Sequence, residues 1–331
     1  MPAEWEPHAR CLMAWPARPE LWGDRLAQAE RDYAAIARVI AAREPVLMAA
    51  RPEAADRARS LCGDGVEVAV AELDDSWMRD TGPVFVRAPG GAVLGVDFAF
   101  NGWGEKYRPY DADDRLPARL LELLGVPRVD AGGFVLEGGA IGVDGAGTLV
   151  TTESVLLNPN RNPGLGRAEV EERLARHLGA DRVIWLAGGL VEDRDTDGHV
   201  DNVCHFLGPG RVIAQTVPDP ASPNHATCAE NVRRLRAAHD VRGRPLEVVE
   251  MPHLPYVPGC DPPVVAPYLN FYLAPGAVVV PVTGAATDAA ALALIGGALP
   301  GREVVAVPGA TLARGGGGVH CITQQQPASG R

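Results

Sequence analysis

The sequence lacks any run of about 18 apolar residues, the length that a membrane-spanning helix needs. Residues 1–8 contain no basic segment followed by an apolar stretch, so the sequence predicts neither a secretion signal nor a membrane anchor. The chain has six cysteines, and none of them are spaced as C-x-x-C or as zinc ligands. We therefore expect reduced thiols and a cytoplasmic protein.

Basic residues are few relative to acidic ones. The chain has 31 lysines and arginines against 42 aspartates and glutamates, a formal net charge of −11. This surplus disfavours nucleic acid and anionic membranes as partners and favours cationic ligands. No linker rich in serine, glycine or proline divides the chain, so we predict a single domain over residues 1–331. The oligomeric state stays open, a homo-oligomer included.

A strand–turn–strand pattern recurs four times. Its turn glycines are Gly91, Gly147, Gly210 and Gly276, roughly 60 residues apart, which indicates an internal repeat. Each hairpin is followed by a stretch with helical spacing and then by a short strand, so the predicted unit is ββαβ. The predicted helices cover residues 113–124, 167–178, 222–239 and 285–299.

A fifth copy of the unit is predicted to be split between the two ends of the chain. Residues 319–323 would form one hairpin strand, and residues 11–15 the other. Residues 26–42 would form the helix, and residues 45–49 the last strand. Pairing the final strand with the first would remove exposed sheet edges and close a ring of five units.

Each unit carries a chemically capable group at or near the start of its first hairpin strand. These groups are Asp80, Glu137, His199 with Asp201, Asn270 and Cys321. If the five units surround an axis, these equivalent positions converge there. Taken singly, each group has an ordinary structural explanation: a turn or cap aspartate, a solvated glutamate, a satisfied histidine, and a cysteine that packs as a small apolar side chain.

Cys321 follows the glycine run 315–318, and glycines allow a backbone to turn sharply and approach a ligand closely. The run precedes a predicted strand and lacks G-K-[ST], which argues against a phosphate-binding loop. His199, Asp201 and His205 would share one face of an extended segment, a minor alternative that would make them metal ligands. We expect no metal or organic cofactor.

A cysteine, a histidine and at least two carboxylates in one cavity suit attack on a cationic planar carbon. Carboxylates bind a guanidinium through paired, charge-assisted hydrogen bonds and would hold its central carbon toward the thiol. A free thiol is only a few per cent ionised at neutral pH, and nearby carboxylates raise its pKa further. Cationic help from the substrate or from His199 is therefore required.

Several segments resemble agmatine deiminases, and together they extend from residue 2 to residue 327. They are PAEWEPH (2–8), MAWP (13–16), WMRDTGP (77–83), NGWGEKY (101–107), LEGG (136–139), LNPNRNP (157–163), GHVDN (198–202) and HCITQQQP (320–327). The resemblance implies a five-bladed α/β propeller, the pentein fold, with pseudo-fivefold symmetry. It also implies hydrolysis of agmatine to N-carbamoylputrescine and ammonia, without a cofactor, in polyamine biosynthesis.

Position by position, the resemblance implies that Cys321 is the nucleophile and His199 the acid and base. Asp80 and Asp201 would grip the guanidinium, and the remaining expected substrate contacts are Glu137, Asn270, Trp77 and Trp103. The chain departs from the family pattern at Gly318, where relatives more often have Asn, and in the short proline-rich segment 252–267. The alternatives are a deiminase of peptidyl-arginine or free arginine and a non-catalytic binding protein of the same fold.

Overall fold

Five separate β-sheets make up the framework of the computed structural model, which describes residues 1–330. The strands are His8–Ala14 (β1), Val46–Ala50 (β2), Val66–Val70 (β3), Val84–Arg87 (β4), Val93–Ala99 (β5), Arg128–Val135 (β6), Ile141–Val143 (β7), Thr148–Thr152 (β8), Arg182–Leu186 (β9), Cys204–Gly208 (β10), Arg211–Gln215 (β11), Glu247–Met251 (β12), Tyr272–Ala274 (β13), Ala277–Val282 (β14), Glu303–Pro308 (β15) and Thr323–Pro327 (β16).

The longer helices and three of the short ones connect strands within these sheets, and two short helices lie in the segments between sheets. In chain order the helices are Pro19–Trp22 (α1), Leu26–Ala41 (α2), Ala55–Cys62 (α3), Met78–Thr81 (α4), Gly102–Glu105 (α5), Asp111–Leu124 (α6), Glu153–Leu156 (α7), Arg167–Leu178 (α8), His225–Ala237 (α9), Asp288–Ala298 (α10) and Ala310–Arg314 (α11). Within residues 1–330, no helix is long and apolar enough to cross a membrane.

Four sheets have the predicted ββαβ arrangement. Their strand orders are β4-β5-β6, β7-β8-β9, β10-β11-β12 and β13-β14-β15, and in each the first two strands are antiparallel and the last two parallel. The helix between the two parallel strands is α6, α8, α9 or α10. A parallel pair needs such a crossover connection, which explains why every unit contains one long helix.

The fifth sheet combines the two ends of the chain, as the repeat predicts. Its order is β16-β1-β2-β3, with β16 antiparallel to β1 and β1 parallel to β2. The added fourth strand, β3, follows α3 and has no counterpart in the predicted unit. The pairing of β16 with β1 completes one sheet and leaves the five sheets separate. Closure of the five units into a ring stays a prediction.

The crossover helices pack their apolar faces onto the sheets. In α8, Val170, Leu174 and Leu178 recur every four residues and are all buried against the core beside the β7-β8-β9 sheet. Full burial of such side chains stabilises the fold by about 1.5–3 kcal/mol each. The helix ends at Gly179, which adopts a left-handed conformation with φ of 68° and so provides a favourable helix terminus.

Two local expectations about the polar segments were wrong. Cys321 lies in a turn before β16, whereas the sequence placed it within a strand over residues 319–323. His199 precedes a short 3-10 turn over Val200–Asn202, so His199, Asp201 and His205 do not share one extended face. Strand β16 begins four residues later than predicted, and β10 begins at Cys204, five residues after His199. The apolar pattern misplaces these starts because buried turn residues such as Val319 and Val200 are apolar as well.

Candidate active site

The chemically capable groups of the five units occupy corresponding positions. Asp80, Glu137, Asp201, Asn270 and Cys321 each lie in the short segment just before the first hairpin strand of their own sheet, namely β4, β7, β10, β13 and β16. All five side chains are almost fully buried. The predicted convergence is therefore visible in direct contacts between side chains that are far apart in the sequence.

The Cys321 thiol is held by Asn270 and faces Asp201. Asn270 Nδ2 lies 3.2 Å from Cys321 Sγ, and Sγ lies 3.6 Å from Asp201 Oδ2. Asn270 Oδ1 also accepts hydrogen bonds from the backbone N–H groups of His320 and Cys321, at 3.0 and 3.3 Å. Asn270 thus fixes both the backbone and the side chain of the proposed nucleophile.

The glycine run lets the backbone pass close to these groups. A Cβ atom at position 318 would lie 2.4 Å from Asn270 Oδ1, a separation that real Cβ atoms do not adopt. Any side chain at this position would therefore require Asn270 to move, and Asn270 holds Cys321. Gly318, where relatives more often have Asn, thus leaves the space that Asn270 occupies in this structure.

Asp80 is fixed by two hydrogen-bond donors. Its Oδ1 accepts from the backbone N–H of Gly139 at 2.9 Å, and its Oδ2 accepts from Trp103 Nε1 at 3.0 Å. His199 Nδ1 lies 3.8 Å from the same Oδ2. A Cβ atom on Gly139 would fall within about 3 Å of atoms of Asp80, His199 and Asp201, which shows how closely these three side chains meet.

Several polar atoms at this junction have no hydrogen-bond partner among residues 1–330. They include both ring nitrogens of His199 and Asp201 Oδ1, all in side chains that are at least 98% buried. Leaving buried polar atoms unpaired costs about 1–3 kcal/mol each, and in native proteins such groups mark places where a ligand or water completes the bonding. The arrangement therefore presents an acceptor and an imidazole for a ligand.

A cavity is lined by Cys321 and Asp80. Its walls include the aromatic side chains of Trp77, Trp103 and Tyr107. It also contains carboxylates, and its lining within residues 1–330 includes no lysine or arginine. Carboxylates and aromatic faces both attract cations. The remaining lining residues are Leu21, Asp75, Asp195, Thr196, Gly315 and Gly316.

Four of the expected site residues, Glu137, Asn270, His199 and Asp201, do not form the wall of this cavity. Glu137 is fully buried and binds Arg161 Nε at 2.6 Å, although its Oε2 has no hydrogen-bond partner among the described residues. Arg161 also pairs with Asp197 at 2.6 Å. Trp77 and Trp103, in contrast, lie at the cavity wall. Their contact with substrate stays a prediction. Of the expected site residues, Cys321, Asp80, Trp77 and Trp103 therefore line the cavity, and the others are buried outside its lining.

The electrostatics of the pocket disfavour a free thiolate. Burial, together with the charges of Asp201 and Asp80, raises the pKa of Cys321 well above its usual value. Burial likewise raises the pKa of Asp80, and the nearby carboxylates add to that effect. Burial opposes ionisation of Asp201, but the hydrogen bond and charge of His320 lower the pKa of Asp201. A bound cation would favour all three ionised forms.

Sequence reasoning missed His320, which contacts Asp201, and Glu4, which contacts His320. His320 Nδ1 binds Asp201 Oδ2 at 2.9 Å, and His320 Nε2 binds Glu4 Oε1 at 3.0 Å. Glu4 lies in the PAEWEPH segment and His320 directly precedes Cys321, so both fall in segments that resemble the family. That resemblance was the available signal, but it did not indicate a contact between them.

Glu4, His205 and His320 have ligand atoms close enough together to hold a metal ion. The neighbouring charges argue against that use. Arg79 Nη1 lies 3.5 Å from Glu4 Oε1. A divalent cation bound to His320 would displace a proton from the ring and would be repelled by the positive charge of Arg79. We interpret the cluster as an ion-pair network in which Glu4 and Asp201 flank His320. The alternative group of His199, Asp201 and His205 is not brought together.

Comparison with known proteins agrees with the resemblance to agmatine deiminases that the sequence motifs indicate. The profile of the Porphyromonas-type peptidyl-arginine deiminase family matches residues 1–327. The chain belongs to this family. An agmatine deiminase of Stutzerimonas stutzeri strain A1501 is 42% identical over 99% of this chain and 95% of its own length. The agmatine deiminase of Pseudomonas aeruginosa strain UCBPP-PA14 has the same identity and coverage.

Solved structures of family members have the same fold. An agmatine deiminase of Enterococcus faecalis superimposes with a TM-score of 0.94 and 32% identity, covering 99% of this chain and 95% of that one. A dimethylarginine dimethylaminohydrolase superimposes with a TM-score of 0.50 at 16% identity, covering 96% and 99%, which shows likeness of fold alone. The family member described here thus has a mixed α/β fold shared with enzymes of the pentein family.

Proposed function

We propose that this chain hydrolyses agmatine to N-carbamoylputrescine and ammonia through a covalent amidino-cysteine intermediate. The observation that carries the proposal is the cavity that ends at Cys321 and Asp80 and is lined by carboxylates and aromatic rings, with no lysine or arginine among its described residues. Agmatine has a positive charge at each end, so both ends suit such a cavity. Relatives that are 42% identical over 95% of their own length are agmatine deiminases.

The first half-reaction forms a carbon–sulfur bond. Asp80 and Asp201 bind the guanidinium, and its charge offsets the effect of these carboxylates on the thiol. The Cys321 proton passes to His199, and the thiolate attacks the guanidinium carbon to give a neutral tetrahedral adduct. Protonated His199 donates its proton to one amino group, which leaves as ammonia. A cationic amidino-thioether remains on Cys321.

The second half-reaction breaks that bond. Neutral His199 accepts a proton from water, and the hydroxide attacks the amidino carbon. Collapse of the second tetrahedral adduct expels the Cys321 thiolate and releases the ureido product, while the hydroxyl proton is lost and converts ammonia to ammonium. Protonated His199 then returns its proton to the thiolate, which restores the Cys321 thiol and neutral His199. The overall reaction consumes one water. The step needs no metal or organic cofactor, and we propose none.

The proposed architecture is a five-bladed propeller. In support, the five sheets have corresponding hairpins, and Cys321, which precedes one of them, contacts Asn270 and Asp201, which precede two others. A single catalytic domain over residues 1–331 and pseudo-fivefold symmetry are parts of the same proposal. Cytoplasmic location, possible homo-oligomerisation and a lack of nucleic-acid or membrane partners are further predictions from the sequence.

Three substrates distinguish the possible activities. Purified protein is incubated with agmatine, free arginine or an arginine peptide blocked at both ends, and ureido product and ammonia are both quantified. We expect turnover of agmatine at the highest kcat/KM. Because the family description names peptidyl-arginine, faster turnover of the blocked peptide would overturn the substrate assignment. Turnover of none of the three would overturn the assignment as a guanidino-modifying enzyme.

A further inference from the structure

The buried network beneath the nucleophile joins the two ends of the chain. Glu4 in the amino-terminal segment binds His320 Nε2 through both carboxylate oxygens, at 3.0 and 3.1 Å. His320 Nδ1 binds Asp201 Oδ2 at 2.9 Å. All three side chains are at least 92% buried. Two carboxylates thus contact opposite nitrogens of one imidazole ring.

We infer that Glu4 and His320 are positioning residues that hold Asp201 for recognition of the guanidinium group. This inference rests on the proposed function and extends it to residues that do not contact the substrate. Neither residue has a place in the bond-making steps. Both act through the Asp201 carboxylate, which lies 3.6 Å from the Cys321 thiol.

The two oxygens of Asp201 differ in their hydrogen bonding, and this difference supports the positioning role. Its Oδ2 is occupied by His320, and its Oδ1 has no partner among residues 1–330. A carboxylate fixed through one oxygen keeps the other in a defined place for a planar cation. Such preorganisation matters because a guanidinium forms directional, paired hydrogen bonds, and a small displacement of the acceptor weakens them.

Charge balance explains why two carboxylates are needed. A protonated imidazole donates from both nitrogens, and in a buried site each donor needs a negative partner. Besides Glu4 and Asp201, three other charged or titratable groups lie near the ring. Arg79 Nη1 lies 3.5 Å from Glu4, the ring of His205 packs edge-on at 5.0 Å, and the Cys321 thiol lies 3.6 Å from Asp201. Removing the charge of Glu4 would deprive both His320 and Arg79 of a negatively charged partner.

The main test is Glu4→Gln, which preserves shape and removes one charge. A matched control is Glu44→Gln, because Glu44 is another buried carboxylate that pairs with a histidine, His8, at 3.1 Å, but it has no contact with Asp201 or Cys321. Agmatine affinity is measured by calorimetry with each variant combined with Cys321→Ser. We expect Glu4→Gln to raise the Kd by about 10- to 100-fold, the scale of a lost charge-assisted contact, and Glu44→Gln to leave it within about twofold.

A second measurement does not depend on agmatine turnover. The rate of Cys321 alkylation is compared for 2-chloroacetamidine, a planar cation, and 2-chloroacetamide, its neutral analogue. In the wild-type protein the cation should react faster, and Glu4→Gln should lower the ratio of the two rates by about tenfold or more. Peptide mapping confirms the alkylated residue. A wild-type protein that fails to hydrolyse agmatine but keeps this ratio would overturn the proposed substrate and not the positioning role.

Two further variants keep the inference falsifiable. Glu4→Asp retains the charge and should recover part of the agmatine affinity that Glu4→Gln loses. Should Glu4→Gln not fold, His320→Gln is tested in the same two assays and should show the same losses. Equal effects of Glu4→Gln and Glu44→Gln on Kd and on the alkylation ratio, or lowered thermal stability with both readouts unchanged, would show a purely structural role and overturn the inference.

Discussion

The preference for agmatine over arginine depends on the charge that arginine adds. Asp195 is the cavity carboxylate best placed to test this. Its Oδ1 accepts a hydrogen bond from the Tyr107 hydroxyl at 2.7 Å, and within residues 1–330 its carboxylate forms no ion pair. Asp75, in the same cavity, is already paired with Arg18 at 2.9 Å. We expect Asp195→Asn to lower the ratio of kcat/KM for agmatine to kcat/KM for arginine.

The size of the effect follows from Coulomb's law. At about 6 Å and an effective dielectric between about 20 and 40, one charge interacts with another by roughly 1.4–2.8 kcal/mol. This energy corresponds to about 10- to 100-fold in kcat/KM. Asp195 attracts the distal ammonium of agmatine, whereas arginine adds a repelled α-carboxylate beside its attracted α-ammonium. Removing the charge should therefore lower kcat/KM for agmatine and leave kcat/KM for arginine nearly unchanged. Tyr107 can still donate to Asn, which favours an intact fold.

The assay is the ratio of kcat/KM for agmatine and arginine at neutral pH. The matched control is Asp56→Asn, which makes the same change in net charge at a fully exposed side chain on α3. The ratio should fall by about tenfold or more with Asp195→Asn and stay unchanged with Asp56→Asn. Equal kcat/KM values for the two substrates in the wild-type protein would refute the charge argument itself. An unchanged ratio in Asp195→Asn would refute the role of this carboxylate.

Three further predictions concern the chemistry at Cys321. Cys321→Ser should abolish turnover with the fold retained, and wild-type protein quenched during turnover should carry an amidino adduct on Cys321; an adduct on another cysteine would contradict the mechanism. Exhaustive chelation should leave kcat/KM unchanged, and activity lost on chelation but restored by zinc would indicate a metal centre. Because burial, Asp201 and Asp80 raise the pKa of Cys321, the thiol stays protonated at neutral pH. Its alkylation by iodoacetamide should therefore keep rising about tenfold per pH unit beyond pH 9, whereas a plateau below pH 8 would contradict the raised pKa.

Local signals determine much of the fold, and these parts were predictable. Helix α8 covers residues 167–178, as the sequence pattern predicts, and the short strand predicted after it is β9. A charged first turn, apolar residues at helical spacing and a terminal glycine define α8 without reference to the rest of the chain. The same regular spacing revealed the repeat and, through it, the split fifth unit. The extra strand β3 was missed because the other units contain no equivalent element.

The contacts among site residues depend on how the units are placed, and this explains why only part of the site could be predicted. The repeat brought Asp80, Asp201 and Cys321 together because they occupy corresponding positions. Glu4 lies outside that pattern, and its contact with His320 links residues 316 positions apart. Successive residues point in different directions, and a shift of one residue changes which side chain faces the cavity. Since Cys321 lies in a turn and not in a strand, its neighbour His320 points to Asp201 and Glu4 beneath the cavity, so an accurate turn geometry was needed before this network could be recognised.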